Sequence, residues 1–448
     1  MVDALDTIFK AYDIRGIYPD QLDDAVAKKV GNAFVRFTGA SRVVVGHDMR
    51  PSSEPLSQAF IQGATLAGAD VVDIGLASTD LTYFASGHLD APAAMFTASH
   101  NPAQYNGIKL CRAGAAPVGS TTGLSQIKEA VAAGLIERAE EAGRVEQRDL
   151  LDDFAAHVRS FVDVPNLLPL RIVADTANGM GGLVVPKVFE TLPFDVEIMF
   201  GELDGTFPNH PADPIQPENL VALRARVLER EADVGLAFDG DADRVFLVDD
   251  QGVPVSGSTT TAIVAKGILE RTGPGEKVVH NLICSKAVPE VIREMGGEPI
   301  RTRVGHSFIK EVMAETGAVF GGEHSAHYYF RDNWRADSGS IAAMVVLEQL
   351  SIARQPLSVV RKPFERYAQS GEINSQVDDP LTVIERVAAA YPGAEQDRLD
   401  GLTVDLGDWW FNLRPSNTEP LLRLNLEAAD KATCDTHTDE VLQLIKSP

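Results

Sequence analysis

The stretch Val234-Gly235-Leu236-Ala237-Phe238-Asp239-Gly240-Asp241-Ala242-Asp243-Arg244-Val245-Phe246-Leu247-Val248 reads as a strand, a loop and a second strand. Two apolar runs flank three carboxylates within five residues, and such carboxylates repel one another unless a cation sits among them. The ligands are hard oxygens, so Mg²⁺ or Ca²⁺ is the natural occupant. An EF-hand is excluded: its sixth loop position should be Gly and is Arg244, its twelfth should be Glu and is Asp250, and the flanks are strands. A solvated acidic turn is the plain alternative, but three Asp closing a buried strand are costly without a metal.

Working outward, the strand before this loop ends a longer rhythm of β-branched runs alternating with helix-period stretches. One module has strands at 171–174, 196–200 and 234–238. An earlier one has strands at 42–45, 71–74 and 93–97. Between its first two strands lies a helix with apolar positions Leu56, Phe60, Ala64 and Ala67, opened by Ser52 and Ser53 and ended by Gly68. A later module has strands at 278–283, 299–303 and 318–320, and its first helix stops at Gly296-Gly297. Each reads β-α-β-α-β, the pattern of a small open parallel sheet. In each, the third strand runs into the most reactive loop, and open α/β sheets bind ligands beyond the carboxyl ends of their strands. Beyond about residue 365 the composition turns polar, which predicts a smaller α+β domain.

The other two loops differ in chemistry. Thr97-Ala98-Ser99-His100-Asn101-Pro102 exposes a serine at a strand end, and Lys109 returns after a turn. By itself Ser99 is equally a turn serine bonding its own backbone. A serine hydrolase is disfavoured because G-x-S-x-G occurs nowhere; a lysine near a hydroxyl suits phosphoryl transfer better. Glu323, Ser325 and His327 alternate after a strand, so in an extended segment they share one face, suited to two sugar hydroxyls. His306 at a helix start favours anions, with a structural histidine as the alternative for it and for His327. Arg414-Pro415-Ser416-Asn417-Thr418 offers a guanidinium and short donors, a phosphate cradle in kind, with a plain surface turn as the alternative.

The composition of the 448 residues is ordinary globular material, 44% hydrophobic and 23% charged, enough for two to four domains. No run of about 18 apolar residues and no signal peptide is seen, and three scattered cysteines fit a cytoplasmic protein. A net charge of −24 disfavours nucleic acid and anionic lipid. A phosphorylated substrate therefore needs basic residues clustered against the global field.

Taken together these loops resemble the α-D-phosphohexomutase superfamily, most closely its bacterial phosphomannomutase/phosphoglucomutase branch. Phe9–Gly16 is similar to the opening motif, Thr97–Lys109 to the phosphoserine loop, Asp239–Arg244 to the metal loop, Gly322–His327 to the sugar loop and Arg414–Thr418 to the phosphate loop. The resemblance implies a four-domain, heart-shaped α/β fold. It has three related βαβαβ-type domains (1–148 phosphoserine, 149–252 metal-binding, 253–364 sugar-binding) and a smaller α+β phosphate-binding domain (365–448). It implies that Ser99 carries the phosphoryl group, and that Asp239, Asp241 and Asp243 bind Mg²⁺ with a phosphoserine oxygen. Arg15, Lys109, His100 and His327 surround the transferring group, and Glu323 and Ser325 grip the sugar. Arg414, Ser416, Asn417 and Thr418 hold the other phosphate, while Tyr12, Arg244 and His306 line the cleft. The reaction implied is interconversion of mannose 6-phosphate and mannose 1-phosphate, with glucose phosphates also accepted. It runs through a hexose 1,6-bisphosphate, which also serves as activator, in a monomer or weak homodimer. Where many relatives have Met and Gly, the sugar loop here has His324 and Ala326. A phosphoglucosamine mutase is disfavoured by Ala11-Tyr12-Asp13 and His324, and a non-catalytic phosphosugar or metal sensor by Ser99 with Lys109.

Overall fold

The computed structural model describes residues 2–415 and 421–446, and of residues 2–4 and 306 the backbone only. The chain divides into two compact units, Met1–Ser256 with Ser325–Val360, and Gly257–His324 with Arg361–Pro448.

In the first unit the apolar runs build two sheets. One holds β1 (Ile14–Ile17), β2 (Arg42–His47), β3 (Asp70–Leu76), β4 (Ala93–Phe96), β5 (Tyr105–Arg112), β6 (Ala116–Pro117) and β7 (Val145–Gln147). Its order is β1-β5-β4-β2-β3-β7, with β6 paired to β5. The other holds β8 (Arg171–Asp175), β9 (Asp195–Met199), β10 (Val234–Phe238), β11 (Val245–Asp249) and β12 (Pro254–Val255), in the order β12-β11-β10-β8-β9. In the second unit β13 (Lys277–Asn281) lies between β14 (Glu298–Thr302) and β15 (Phe320–Gly322), parallel to both. The three modules thus share one strand order, with the first strand central: β3-β2-β4, β9-β8-β10 and β14-β13-β15.

Burial explains the strands. Val43, Val44, Val45, Ala93, Ala94 and Phe96 are fully shielded or nearly so, as befits parallel strands covered on both faces. Phe34, Phe60 and Phe96 pack in the first core, tilted and edge-to-face, with ring centroids 6.0 and 5.5 Å apart. The helix Asp24–Thr38 begins at Asp23, whose carboxylate accepts from the Val26 amide at 2.8 Å, and ends at the left-handed Gly39.

The structure corrects the sequence reading in three places. The sheets of the first unit are mixed, because the loops after β4 and β10 are too short for a crossover and turn back into the antiparallel β5 and β11. The third strand of the later module is Phe320–Gly322 rather than 318–320. Gly322 allows this: a Cβ there would lie 2.4 Å from Thr261 Cγ2 on the helix Gly257–Thr272. Finally, residues 323–327 form no extended segment but a turn, in which Ala326 takes a left-handed φ of 65°.

The last part of the chain is α+β, as expected. Five antiparallel strands (Ala368–Gln376, Glu395–Asp397, Leu402–Asp405, Trp409–Pro415 and Leu421–Ala428) pack with the helices Pro380–Ala390 and Lys431–Lys446. Their core is Leu402, Val404, Phe411, Leu413 and Leu424. No helix among the described residues is long and apolar enough to cross a membrane.

Candidate active site and metal centre

Strand β4 delivers Ser99, and strand β10 delivers the Asp triplet. Ser99 is 6% exposed and its backbone is left-handed, φ 50°, a conformation that costs a non-glycine residue energy. Its amide donates to Thr97 Oγ1 at 2.9 Å, and its hydroxyl donates to Asp239 Oδ2 at 2.8 Å. Gly240 lets the two loops approach, since a Cβ there would lie 2.4 Å from the Ser99 carbonyl oxygen.

Asp239, Asp241 and Asp243 are fully buried or nearly so, with ligand oxygens within 4.8 Å of one another. Lys109 Nζ, from β5, bridges Asp241 Oδ2 and Asp243 Oδ2 at 2.7 Å each. Arg244 Nε donates to Asp239 Oδ2 at 2.9 Å. Three carboxylates face two cations, so the fully ionised cluster would carry one negative charge in excess. Asp241 Oδ1 and Asp243 Oδ1 are buried and accept no hydrogen bond. Two orphaned carboxylate oxygens beside an uncompensated charge fit a hard divalent cation. Burial, with its two carboxylate neighbours, pushes Asp239 up to about 7 despite Arg244. For Asp241 burial works upward too, but Lys109 and the Thr79 hydroxyl hold it below the usual carboxylate range.

Two histidines take opposite states. Burial, with Arg244 and Arg15 adjacent, drives His100 well below the ordinary imidazole value. Arg244 Nη2 lies 2.6 Å from His100 Nδ1, and a guanidinium only donates, so Nδ1 is the acceptor and a neutral ring carries its proton on Nε2. His327 is raised: burial works downward, but the Asp337 carboxylate, 3.0 Å from Nδ1, and Asp243 outweigh it. Arg15, on β1, donates to Asn101 Oδ1 at 2.6 Å and pairs with Asp13. Tyr12 lies half-buried in the bend before β1. Ser99, His100, Lys109, Arg244 and the three Asp are thus assembled in the first unit, with Arg15 on the flanking side of the same loop.

Several residues of this assembly went unread in the sequence. Thr79, at the start of the helix Thr79–His88, donates to Asp241 Oδ2 at 2.6 Å. Asp337 orients His327. Arg50, fully buried with Asp48, donates to main-chain carbonyls of the Ser99 loop. The available signal was Asp48-Met49-Arg50 directly after a strand with a buried Val43-Val44-Val45 run, where a charged pair must be buried for a reason.

In the second unit, Glu323 is 2% exposed and its Oε2 accepts from Asn281 Nδ2 at 3.1 Å and the Gly305 amide at 3.3 Å. His306 opens the helix His306–Thr316. Arg414 and Pro415 close a strand, and Arg414 Nη2 donates to Glu372 Oε2 at 2.8 Å, with Arg423 on the same carboxylate. Nothing in the sequence flagged Glu372. Lys286 Nζ is bound to Asp405. Ser325 is half-buried in the turn after Glu323 and belongs to the first unit. Ser416, Asn417 and Thr418 lie outside the described residues.

Comparison with known proteins supplies the remaining step. Models of phosphoglucomutase/phosphomannomutase α/β/α domains I, II and III match residues 6–136, 152–252 and 256–367, and the C-terminal domain of the same family matches 372–444. The chain is 42% identical over 443 residues to a protein named phosphohexose mutases from Xanthomonas campestris pv. campestris, covering 98% of this chain and 99% of that one. It is 39% identical over 451 residues to the phosphomannomutase of Escherichia coli K12, with the same coverage. The crystal structure of a phosphoglucomutase/phosphomannomutase family protein from Burkholderia thailandensis superposes with a TM-score of 0.90, at 32% identity over 98% of this chain and 97% of that one. Four domain matches in order, full-length identity and a common fold establish that this chain belongs to the phosphoglucomutase/phosphomannomutase family of phosphohexose mutases.

Proposed function

We propose that the chain is a phosphomannomutase that interconverts mannose 6-phosphate and mannose 1-phosphate, and accepts glucose phosphates, with Ser99 as the phosphoryl carrier. The observation that carries this reading is the Ser99 hydroxyl donating to Asp239 within the buried triplet that Lys109 bridges. A hydroxyl so placed is backed by a carboxylate to take its proton and ringed by cations for a phosphoryl group.

Asp239, Asp241 and Asp243, with an oxygen of phosphorylated Ser99, would hold Mg²⁺. When bound it supplies charge neutralisation around the transferring group. The chain's own residues do the rest. Ser99 sits in the conformation its loop imposes. Lys109, Arg244 and Arg15 add positive charge, and neutral His100 keeps a donor on Nε2. The Asp337 carboxylate on Nδ1 of His327 favours its protonated form against the burial that opposes it, so His327 is assigned a proton-holding role. Glu323 and Ser325 are assigned the sugar hydroxyls. Arg414, with Ser416, Asn417 and Thr418, is assigned the non-reacting phosphate, and Tyr12 and His306 the substrate's surroundings. A hexose 1,6-bisphosphate is both intermediate and activator, because either phosphate then returns to Ser99. The four domains are proposed to divide at 1–148, 149–252, 253–364 and 365–448, with the chain working in the cytoplasm as a monomer or weak dimer.

The test is a coupled assay with mannose 1-phosphate and glucose 1-phosphate side by side, primed with bisphosphate. Ser99→Ala should abolish turnover while still binding sugar phosphate, and intact mass should show a fraction of wild-type molecules about 80 Da heavier. Turnover by Ser99→Ala near the wild-type rate would sink the proposal. Removing divalent ions with a chelator should stop the reaction, and added Mg²⁺ should restore it.

A further inference from the structure

We propose that Arg50 is a positioning residue for phosphoryl transfer, holding the Ser99 loop in its strained, reactive shape from beneath. The inference rests on Ser99 being the phosphoryl carrier.

Arg50 follows β2, and its side chain is completely buried, as is that of its partner Asp48. Asp48 Oδ2 accepts from Arg50 Nε at 3.1 Å, while Asp48 Oδ1 accepts from the Arg50 amide at 3.0 Å and from the Ser53 hydroxyl. That network fixes the guanidinium plane. The remaining donors point to four main-chain carbonyls of the segment carrying the nucleophile. Nη2 donates to Ser99 O at 2.8 Å and to Asn101 O at 2.7 Å. Nη1 donates to Pro102 O at 2.9 Å and to Tyr105 O at 3.0 Å. The Phe207 ring covers the guanidinium, 5.1 Å from its centroid, and keeps water from competing.

A buried pair serving stability alone is a poor use of a charge, since a shape-matched apolar group often does as well. Here the geometry has a different product. Ser99 stands at φ 50°, which a non-glycine residue keeps only when its surroundings over-determine it. Two devices do so: the Thr97 hydroxyl on the Ser99 amide, and Arg50 on the Ser99 carbonyl. Only a planar fork with several fixed donors reaches four carbonyls at once; an ammonium does not. The guanidinium donors are spent on Asp48 and these carbonyls, not on the Ser99 hydroxyl. Without it the loop relaxes toward ordinary backbone angles and Oγ leaves its place beside Asp239.

The experiment compares Arg50→Lys, Arg50→Ala and Ser99→Ala, measuring kcat and KM for mannose 1-phosphate, the rate of loss of the heavier phosphorylated species, and far-UV circular dichroism. Arg50→Lys keeps the charge, yet kcat should fall about 100-fold. KM should stay within about twofold, because a displaced nucleophile affects the transition state and not ground-state binding. In Arg50→Ala, millimolar guanidinium should restore kcat at least about tenfold while methylammonium does not, since only the former reproduces the fork. If Arg50→Ala does not fold, Arg50→Lys carries the test. An Arg50→Lys enzyme with kcat near wild type, beside an inactive Ser99→Ala, would overturn the proposal. So would a fall in kcat matched by an equal rise in KM and lost circular dichroism. Activity in Ser99→Ala would instead overturn the reading of Ser99.

Discussion

Thr79 and Ala326 are single residues whose chemistry can be isolated by substitution. The Thr79 hydroxyl donates to Asp241, and its amide donates to the Asp241 carbonyl at 3.0 Å. Thr79→Val removes the first bond and keeps the shape. Stability should drop by about 1–2 kcal/mol, since the acceptor is a buried charge. The Mg²⁺ concentration needed for half-maximal rate should rise roughly 10- to 100-fold, as when outer partners of metal ligands are lost. Titrating activity with Mg²⁺ checks it; an unchanged requirement would show that Thr79 does not tune the triplet. Ala326 is buried and left-handed, a backbone conformation that glycine adopts without penalty. Ala326→Gly should therefore raise stability by about 1 kcal/mol in thermal or urea unfolding, because the methyl group is the source of the penalty.

At the scale of elements, two substitutions separate folding from function. Asp23→Ala removes the cap of the helix Asp24–Thr38 and should cost about 1 kcal/mol with kcat unchanged. Gly240→Ala should lower both. Its methyl group would press on the Ser99 carbonyl, so kcat should fall at least about tenfold and stability by about 1–3 kcal/mol. Steady-state kinetics beside urea curves for both variants decide the matter. The strands and the helix Ser53–Leu66 were legible because burial writes a period or an apolar run into the chain, and the Asp triplet because adjacent carboxylates are expensive. Arg50, Thr79, Asp337 and Glu372 were not, for one physical reason. Arg50, Thr79 and Glu372 act on groups 42 or more residues away, and Asp337 on His327 ten residues off, whereas helix and strand periods encode only nearer neighbours. The turn at 323–327 was misread as extended because alternating polar residues look alike in a strand and in a tight turn, and left-handed Ala326 breaks the usual glycine cue.

For the whole molecule, chain order and compactness disagree. The segment Ser325–Val360 belongs to the same unit as the first 256 residues. Ser338 Oγ donates to Asp80 Oδ2 at 2.7 Å, Asn333 meets His157 at 3.0 Å, and Glu348 accepts from the Asp163 amide at 2.7 Å. A fragment ending at residue 256 should therefore lack cooperative unfolding, which calorimetry would show. Acid should also weaken the intact chain through His280, buried on β13 and held by burial at about 4 instead of 6.5. The unfolded chain takes up a proton as pH falls below 6.5 and the folded one does not until about 4. The contribution is complete above 6.5 and lost on the way down to 4, a matter of roughly 3 kcal/mol. His280→Gln should flatten that part of the pH–stability curve; an unaltered slope would assign the effect to other groups.

The shared strand order has a consequence for how such a protein is assembled from simpler stock. A fold that places one loop at the same topological address in each of three modules needs no new architecture to acquire new chemistry. Rewriting a few residues at that address suffices: a serine hydroxyl in the first, three aspartates in the second, a buried glutamate in the third. Division of labour among corresponding loops, with the scaffolds left alone, is what lets three similarly ordered sheets carry distinct polar groups.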